Sequence, residues 1–160
     1  MEPIPIEPIA WVRSTRSHTR DDGWAAETVT IELDARFDAE ALTGIDTFSH
    51  VVVVFVMDRI DPATVEIGAR HPRNDPALPK LGIFAQRASR RPNRLGVTVC
   101  RVVELDDRAL RVAGLDAADG TPVVDLKPWM AVFGPQGRVT EPAWVAGMHA
   151  TYWHADKPST

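Results

Sequence analysis

The sequence predicts a mainly β fold, an antiparallel barrel or sandwich, and three observations predict it. Short apolar runs recur along the chain, Thr28–Leu33, His50–Val56, Leu95–Leu105 and Ala109–Ala113. Runs of this length with period-two alternation read as strands. Turn dipeptides stand between them, among them Asp106-Asp107 and Asp119-Gly120, where short side chains and glycine meet the demands of tight turns. Thirteen prolines in 160 residues oppose long helices, because proline lacks the backbone N–H and clashes with the preceding turn. The length suits one domain, 1–160. Such a chain buries about two thirds of its unfolded surface, enough for a core of its own.

The elements follow in order. Ile4–Val12 mixes apolar alternation with Pro5 and Pro8 and reads as an edge strand. Ser14–Gly23, STRSHTRDDG, is polar throughout and reads as an exposed loop. Trp24 follows, either as a buried rim residue or as an exposed stacking surface. Thr28–Leu33 alternates, with Val29, Ile31 and Leu33 on one face. Asp38–Leu42 has an N-cap residue and helix formers, so a short helical turn ending at Gly44 is expected. His50–Val56 is an unbroken apolar run, expected as a central strand buried on both faces. Asp58 and Arg59 end it, and Asp58 is expected either to pair with Arg59 or to serve a site. Pro62–Ile67 reads as a short strand, and residues 70–76 as a proline-bounded loop carrying a solvated His71. Leu95–Leu105, the Asp106-Asp107 turn and Ala109–Ala113 make a hairpin. Val123-Val124 is a short strand, and Gly134-Pro135-Gln136-Gly137 a turn. Pro142–Trp153 reads as one amphipathic helix, since Trp144, Met148 and Tyr152 are four apart. The tail after Ala155 is expected to fray.

Composition narrows the function. The apolar fraction of 44% and charged fraction of 25% are those of an ordinary globular protein. The net charge of −4 argues against a surface that grips nucleic acid everywhere. Positive charge is instead concentrated at Arg70, Arg73, Lys80, Arg87, Arg90, Arg91 and Arg94. The one cysteine, Cys100, forms no internal disulfide, and its place in an alternating strand points it into the core. No apolar run is long enough for a membrane helix. The N-terminus lacks the basic-then-apolar order of a signal peptide. A cytoplasmic protein is therefore expected. No Gly-x-Gly-x-x-Gly, Cys-x-x-Cys or Gly-x-Ser-x-Gly pattern occurs, so neither a dinucleotide fold, nor a metal site, nor a serine-hydrolase elbow is supported.

Two stretches carry the chemistry. Residues 82–100, GIFAQRASRRPNRLGVTVC, place Arg87, Arg90, Arg91 and Arg94 between two apolar strands. Those guanidinium groups require solvent, acidic side chains or an anion. Pro92 and Asn93 suit a shaped turn. Residues 114–128, GLDAADGTPVVDLKP, hold a tight turn flanked by Asp116, Asp119, Asp125 and Lys127.

Together the stretches resemble the family of S-adenosylmethionine-dependent methyltransferases that modify threonylcarbamoyl-adenosine beside the tRNA anticodon, the TrmO or TsaA-like family. Its pattern is approximately G-V-F-A-T-R-x-P-x-R-P-N-P-I-G followed by L-D-x-x-D-G-T-P-V-L-D-I-K-P-Y. Gly82 to Arg87, Arg91-Pro92-Asn93, Leu95-Gly96 and Leu115 to Pro128 match it, and Gly44 to His50 is similar to the family's G-L-x-x-F-S-H. The matches cover roughly residues 5–130 and imply a TsaA-like barrel. They also imply S-adenosylmethionine as cofactor, with Arg87, Val97, Asp119, Gly120, Thr121 and Pro122 at it and Leu115 and Asp116 adjacent. Arg91, Asn93, Asp125 and Lys127 match motif positions of the same pocket, and Trp24, in the stretch where the family carries a Pro-Arg-Gln segment that touches the cofactor, is a further candidate for it. The alternative for Asp125 and Lys127 is pairing with the arginines across a hairpin. The family's Pro-Arg-Gln segment is absent here, Arg20-Asp21-Asp22-Gly23-Trp24 standing in its place, and Asp58 stands near the family's usual histidine. The resemblance further implies a homodimer, and the aromatic segment 131–160 is one candidate for its interface.

Methyl transfer requires the acceptor and the methyl group in line at about 3–3.5 Å. Backbone groups of the Asp119–Pro122 turn, a carboxylate such as Asp116 and the fork of Arg87 suit the cofactor's adenine, amine and carboxylate. If a general base is used, Asp58, His71 and Asp22 are the candidates. The favoured acceptor is threonylcarbamoyl-adenosine in tRNA. The alternatives are a small-molecule acceptor with the same cofactor, or a non-catalytic cofactor-binding or scaffold barrel.

Overall fold

A computed structural model describes residues 2–18 and 22–154. Arg20, Asp21 and the tail beyond Ala155, on which expectations above fell, lie outside the described residues. Eight strands form: β1 (Ala10–Arg13), β2 (Thr28–Leu33), β3 (His50–Val56), β4 (Ala69–Arg70), β5 (Leu81–Gly82), β6 (Leu95–Asp106), β7 (Ala109–Ala113) and β8 (Pro122–Pro128). Six of them close an antiparallel barrel in the order β1-β2-β7-β6-β3-β8, with Ala10 opposite Val123 to seal it. β4 and β5 pair apart from it. The predicted barrel is therefore the fold.

Inward positions alternate as the sequence pattern requires. Val12, Val29, Ile31, Val51, Val53, Leu110, Val112 and Val123 are all essentially inaccessible, and each such side chain contributes about 1.5–3 kcal/mol by leaving water. Thr28–Leu33 and the 95–113 hairpin fall where expected. Asp107 takes a positive φ of 49° in the hairpin turn, which aspartate tolerates better than most residues. Val103 is an extra residue between the Val102–Val112 and Glu104–Arg111 pairs; such a bulge bends a long strand and helps close a barrel. Gly96 is required by packing: a β-carbon there would overlap the ring of Phe55, which faces it across the sheet.

Several expectations are corrected. β1 is not an edge strand, since the barrel has none, and it begins only at Ala10, beyond Pro8. Ile4 and Ile6 remain exposed. β3 buries one face only: Val51, Val53 and Phe55 point inward, while Val52, Val54 and Val56 stand half-buried outside. An all-apolar run hides its own alternation, so the sequence could not separate the faces. Pro62–Ile67 forms no strand; Pro62–Thr64 is a 3-10 turn with Asp61 accepting from the Ala63 N–H at 2.9 Å. Asp-Pro is a natural turn start, because the carboxylate caps and proline sits at the first helical position. The turn at Ala39–Leu42 forms, but Asp38 makes no side-chain capping bond. The apolar run before the arginine loop is only the two residues of β5 and a 3-10 turn, Ile83–Ala85. β8 is longer than Val123-Val124 and includes Asp125 and Lys127. The C-terminal helix, α1, spans only Trp144–Met148. Gly147 sits in its last turn, where glycine weakens helix propagation.

Antiparallel closure gathers the long connections. Residues 14–27, 57–94 and 114–121 all join strands at one end of the barrel. The opposite end carries 34–49, the short 107–108 turn and the exit after Pro128.

Candidate functional site

The three long connections are stitched to one another at the loop-bearing end. The Asp119–Gly120 turn is the centre of the stitching. The Asp119 N–H donates to the Arg16 carbonyl at 2.9 Å, the Gly120 N–H to Val12 at 2.8 Å, and the Thr121 N–H to Ala118 at 3.2 Å. Gly120 supplies the positive φ of 79° that the turn needs. The Asp119 carboxylate accepts from the Ser14 N–H at 3.0 Å. Arg59 donates to the carbonyls of both Ser17 and Asp119. Two readings change as a result. The turn's N–H groups are already engaged by the protein, so carbonyl oxygens are what it can present to a ligand. Arg59 serves the loop backbone, while Asp58 is exposed beside it.

The arginine loop has a partner class that composition did not suggest, namely backbone carbonyls. Arg87 donates to Val97, Arg91 to Gln86 at 2.9 Å, and Arg94 to Ile60 at 2.8 Å. Gln86, nearly buried, ties Arg70 and Leu81 together through its amide. Asn93 adopts φ 63° as its turn chemistry predicts, and Arg94 follows at 52°. Arg87 and Arg90 remain exposed on the shaped loop that results.

Asp116 is held on both sides. One carboxylate oxygen accepts from the Thr98 hydroxyl and the other from the Tyr152 hydroxyl. Cys100, one inward step along β6 from Thr98, is fully buried, as its alternation predicts. Burial, with the Asp116 charge adding to it, pushes its thiol up to about 12, which leaves no thiolate for nucleophilic work.

Of the remaining expected residues, Leu115, Thr121 and Pro122 are buried and shape the turn through packing. Val97 is 43% exposed on the outer face of β6, next to the Arg87 guanidinium that caps its carbonyl. Asp125 and Lys127 do not reach the loops or the arginines. They lie on β8 opposite Val54 and Val52 and pair with each other. Trp24 is buried, and the Arg16 guanidinium covers its ring at 3.6 Å, so it offers no stacking surface. Arg16, in the stretch expected to be wholly exposed, is drawn inward with Glu27 at 3.3 Å. His71 is also not simply solvated: Nδ1 meets the Leu78 carbonyl at 2.7 Å, so that nitrogen carries the proton and Nε2 is left as acceptor. Asp22 pairs with Arg73 at 3.0 Å. That bond holds its carboxyl below the usual range, which makes it a poor proton acceptor.

Four contributors were missed: Arg16, Arg59, Thr98 and Tyr152. Thr98 had a legible signal, a polar side chain on the inward row of an alternating strand. The others reach across the chain and had none. The cleft of about 500 Å³ lined by Ile9, Phe37, Leu42, Ile45 and Phe48 contains none of the residues expected at the cofactor. Among the described residues no group of acidic, histidine or cysteine side chains is placed to hold a metal, and no helix is long and apolar enough to cross a membrane.

Comparison with known proteins identifies the family. A probable S-adenosyl-L-methionine-binding protein of Archaeoglobus fulgidus is 37% identical over 114 residues, 71% of this chain and 30% of its own length. A human tRNA (adenine(37)-N6)-methyltransferase is 33% identical over 102 residues, 64% of this chain and 23% of its own. The chain thus spans less than a third of either relative. A probable S-adenosyl-L-methionine-binding protein of Methanothermobacter thermautotrophicus is 34% identical, and the match covers 79% of this chain and 90% of that one. The crystal structure of TrmO from Pseudomonas aeruginosa superposes with a TM-score of 0.71 at 28% identity, over 90% of this chain and 62% of that one. The family description that matches, across residues 13–134, is the tRNA-methyltransferase O N-terminal domain, and the chain belongs to that family.

Proposed function

We propose that the loop-bearing end of the barrel binds S-adenosylmethionine and that the protein methylates threonylcarbamoyl-adenosine in tRNA. The observation that carries this reading is that Arg87 bonds the Val97 carbonyl and Asp116 the adjacent Thr98, at the same end of the barrel as the Asp119–Pro122 turn. The donor set fits the cofactor. Arg87 offers a fork for its carboxylate, Val97 an apolar surface for its adenine, and Asp116 and Asp119 negative charge for its amine and sulfonium. When bound, the cofactor supplies an electrophilic methyl group, and the residues here have only to orient it and the acceptor. Two relatives carry names that agree: one is called an S-adenosyl-L-methionine-binding protein, the other a tRNA (adenine(37)-N6)-methyltransferase.

The acceptor nitrogen must also lose a proton. Asp58, exposed at the end of β3, and His71, with Nε2 left to accept, are the candidates to take it, whereas the Asp22 carboxylate is engaged by Arg73. Exposed Arg90 beside the site is placed for tRNA phosphate.

The reading includes a homodimer. Val97 and Val99 on β6 stand opposite Val54 and Val52 on β3, with Asp125 and Lys127 continuing the rows. Val97 and Val99 are more than 40% exposed, so this outer face is an apolar surface bordered by one charge of each sign. A second copy covering it would lie beside Val97 and hence beside the cofactor.

The test uses S-adenosylmethionine labelled on its methyl group, with bulk tRNA. Label should enter a threonylcarbamoyl-adenosine nucleoside, and tRNA binding should weaken steeply as salt rises. Cofactor binding without any transfer to tRNA would instead favour the small-molecule acceptor.

A further inference from the structure

The C-terminal segment beyond the family-matched residues lies on the candidate site. The N–H groups of Gly23, Trp24 and Ala25 donate to the carbonyls of Tyr152 (2.9 and 3.2 Å) and Trp153 (2.9 Å). The segment therefore runs along the stretch that replaces the family's Pro-Arg-Gln. Trp153 approaches Gly114, just ahead of Asp116. Tyr152, the chain's single tyrosine, packs edge-on against His149 at 5.5 Å and Trp153 at 5.1 Å. From there its hydroxyl reaches Asp116.

We propose that residues 144–153 complete the cofactor site and that Tyr152 is a positioning residue, fixing the Asp116 carboxylate for the positively charged part of the cofactor. This rests on the cofactor reading above. With only the Thr98 hydroxyl as partner, the carboxylate could turn about its Cβ–Cγ bond. A second donor on the other oxygen holds its plane, and each oxygen keeps a lone pair for a ligand. Both donors are neutral, so the negative charge remains for a cation. Burial, with Arg73 and Arg87 adding to it, lowers the basicity of His149, the ring against which Tyr152 packs.

The test is a double-variant cycle read by calorimetric titration of S-adenosylmethionine into the full chain. Tyr152→Phe retains the ring and its packing and removes only the donor. It should weaken binding about tenfold, or ~1.4 kcal/mol, with little change in melting temperature. Asp116→Asn should weaken binding further, and the double variant should bind like Asp116→Asn alone, because both changes act through one carboxylate. A purely structural role for Tyr152 predicts additive losses, and that result overturns the proposal. Native affinity in a folded Tyr152→Phe overturns it while leaving the cofactor reading intact. No binding to the native protein overturns both. Should Tyr152→Phe fail to fold, Thr98→Val in the same cycle with Asp116→Asn supplies the reading: additive losses there exclude an oriented carboxylate and overturn the proposal too.

Discussion

The two ends of the barrel are built from the same six strands and hold themselves together differently. At the short-turn end, β6 and β7 are joined by the two-residue turn 107–108. Asp106 and Ala109 pair across a tight turn, and Arg108 anchors it by donating to the Leu33 and Asp34 carbonyls at 3.2 and 2.8 Å. At the loop-bearing end, long connections are tied to one another and to the C-terminal segment: Arg59 to Asp119, Asp119 to Ser14, Tyr152 to Asp116. Both ends use arginine on backbone carbonyls. Exposed Arg36 at the short-turn end is paired with Glu7 and Asp34, whereas at the loop-bearing end the connections carry exposed Arg87 and Arg90 and a doubly held Asp116 carboxylate. The difference teaches how a barrel separates its tasks: the strands supply stability, and loops that strand propensity does not constrain supply a binding surface.

That separation can be broken experimentally. The largest effect should come from Leu110→Ala, a fully buried side chain next to the short turn. It should cost about 2–5 kcal/mol of stability, seen in denaturant or thermal unfolding, while the folded protein keeps its cofactor affinity. A comparable loss of affinity would show that the ends are coupled. Arg87→Ala is the converse. The cofactor dissociation constant should rise about 10–100-fold, as loss of a hydrogen bond to a charged group implies, and the melting temperature should barely move. Unaltered binding would remove Arg87 from the site.

The smallest effect concerns acid. Arg73 holds the Asp22 carboxyl below its ordinary value, so the unfolded chain takes up that proton more readily than the folded one. The pair's contribution is therefore present above about pH 4 and fades as pH falls through the lowered value. With the Asp22 side chain 39% exposed, screening keeps the cost of Asp22→Asn at pH 7 well under ~1 kcal/mol. Melts from pH 7 to pH 3 should show the two proteins converging at the acid end. A gap that widens with acid would contradict the assigned direction.

Legibility followed the range of the interactions. The faces of β2 and β6 could be read from alternation, and Asn93, Asp107 and Gly120 from turn chemistry. The faces of β3 could not, because seven consecutive residues offered no polar marker on its outer side. Trp24 could be assigned to the interior, but not the Arg16 guanidinium stacked on it. Arg87 and the 119–122 turn were found through the family resemblance, and their composition would have served a solvated loop equally well. Tyr152 read as part of an amphipathic helix, and it became a partner of Asp116 only when the chain turned after Met148.

By itself, then, the sequence determined which segments are strands, where they turn and which residue types are available for an anion or a cation, since period, proline and glycine act within a few residues. Only the tertiary structure decided that β8 closes onto β1, that three connections meet at one end, which carbonyl each arginine binds and that Tyr152 lies on Asp116. Those outcomes join residues remote in sequence, such as Ala10 with Val123 and, 105 positions apart, Ser14 with Asp119. Such contacts form through closure of the whole sheet, which no local window of sequence contains.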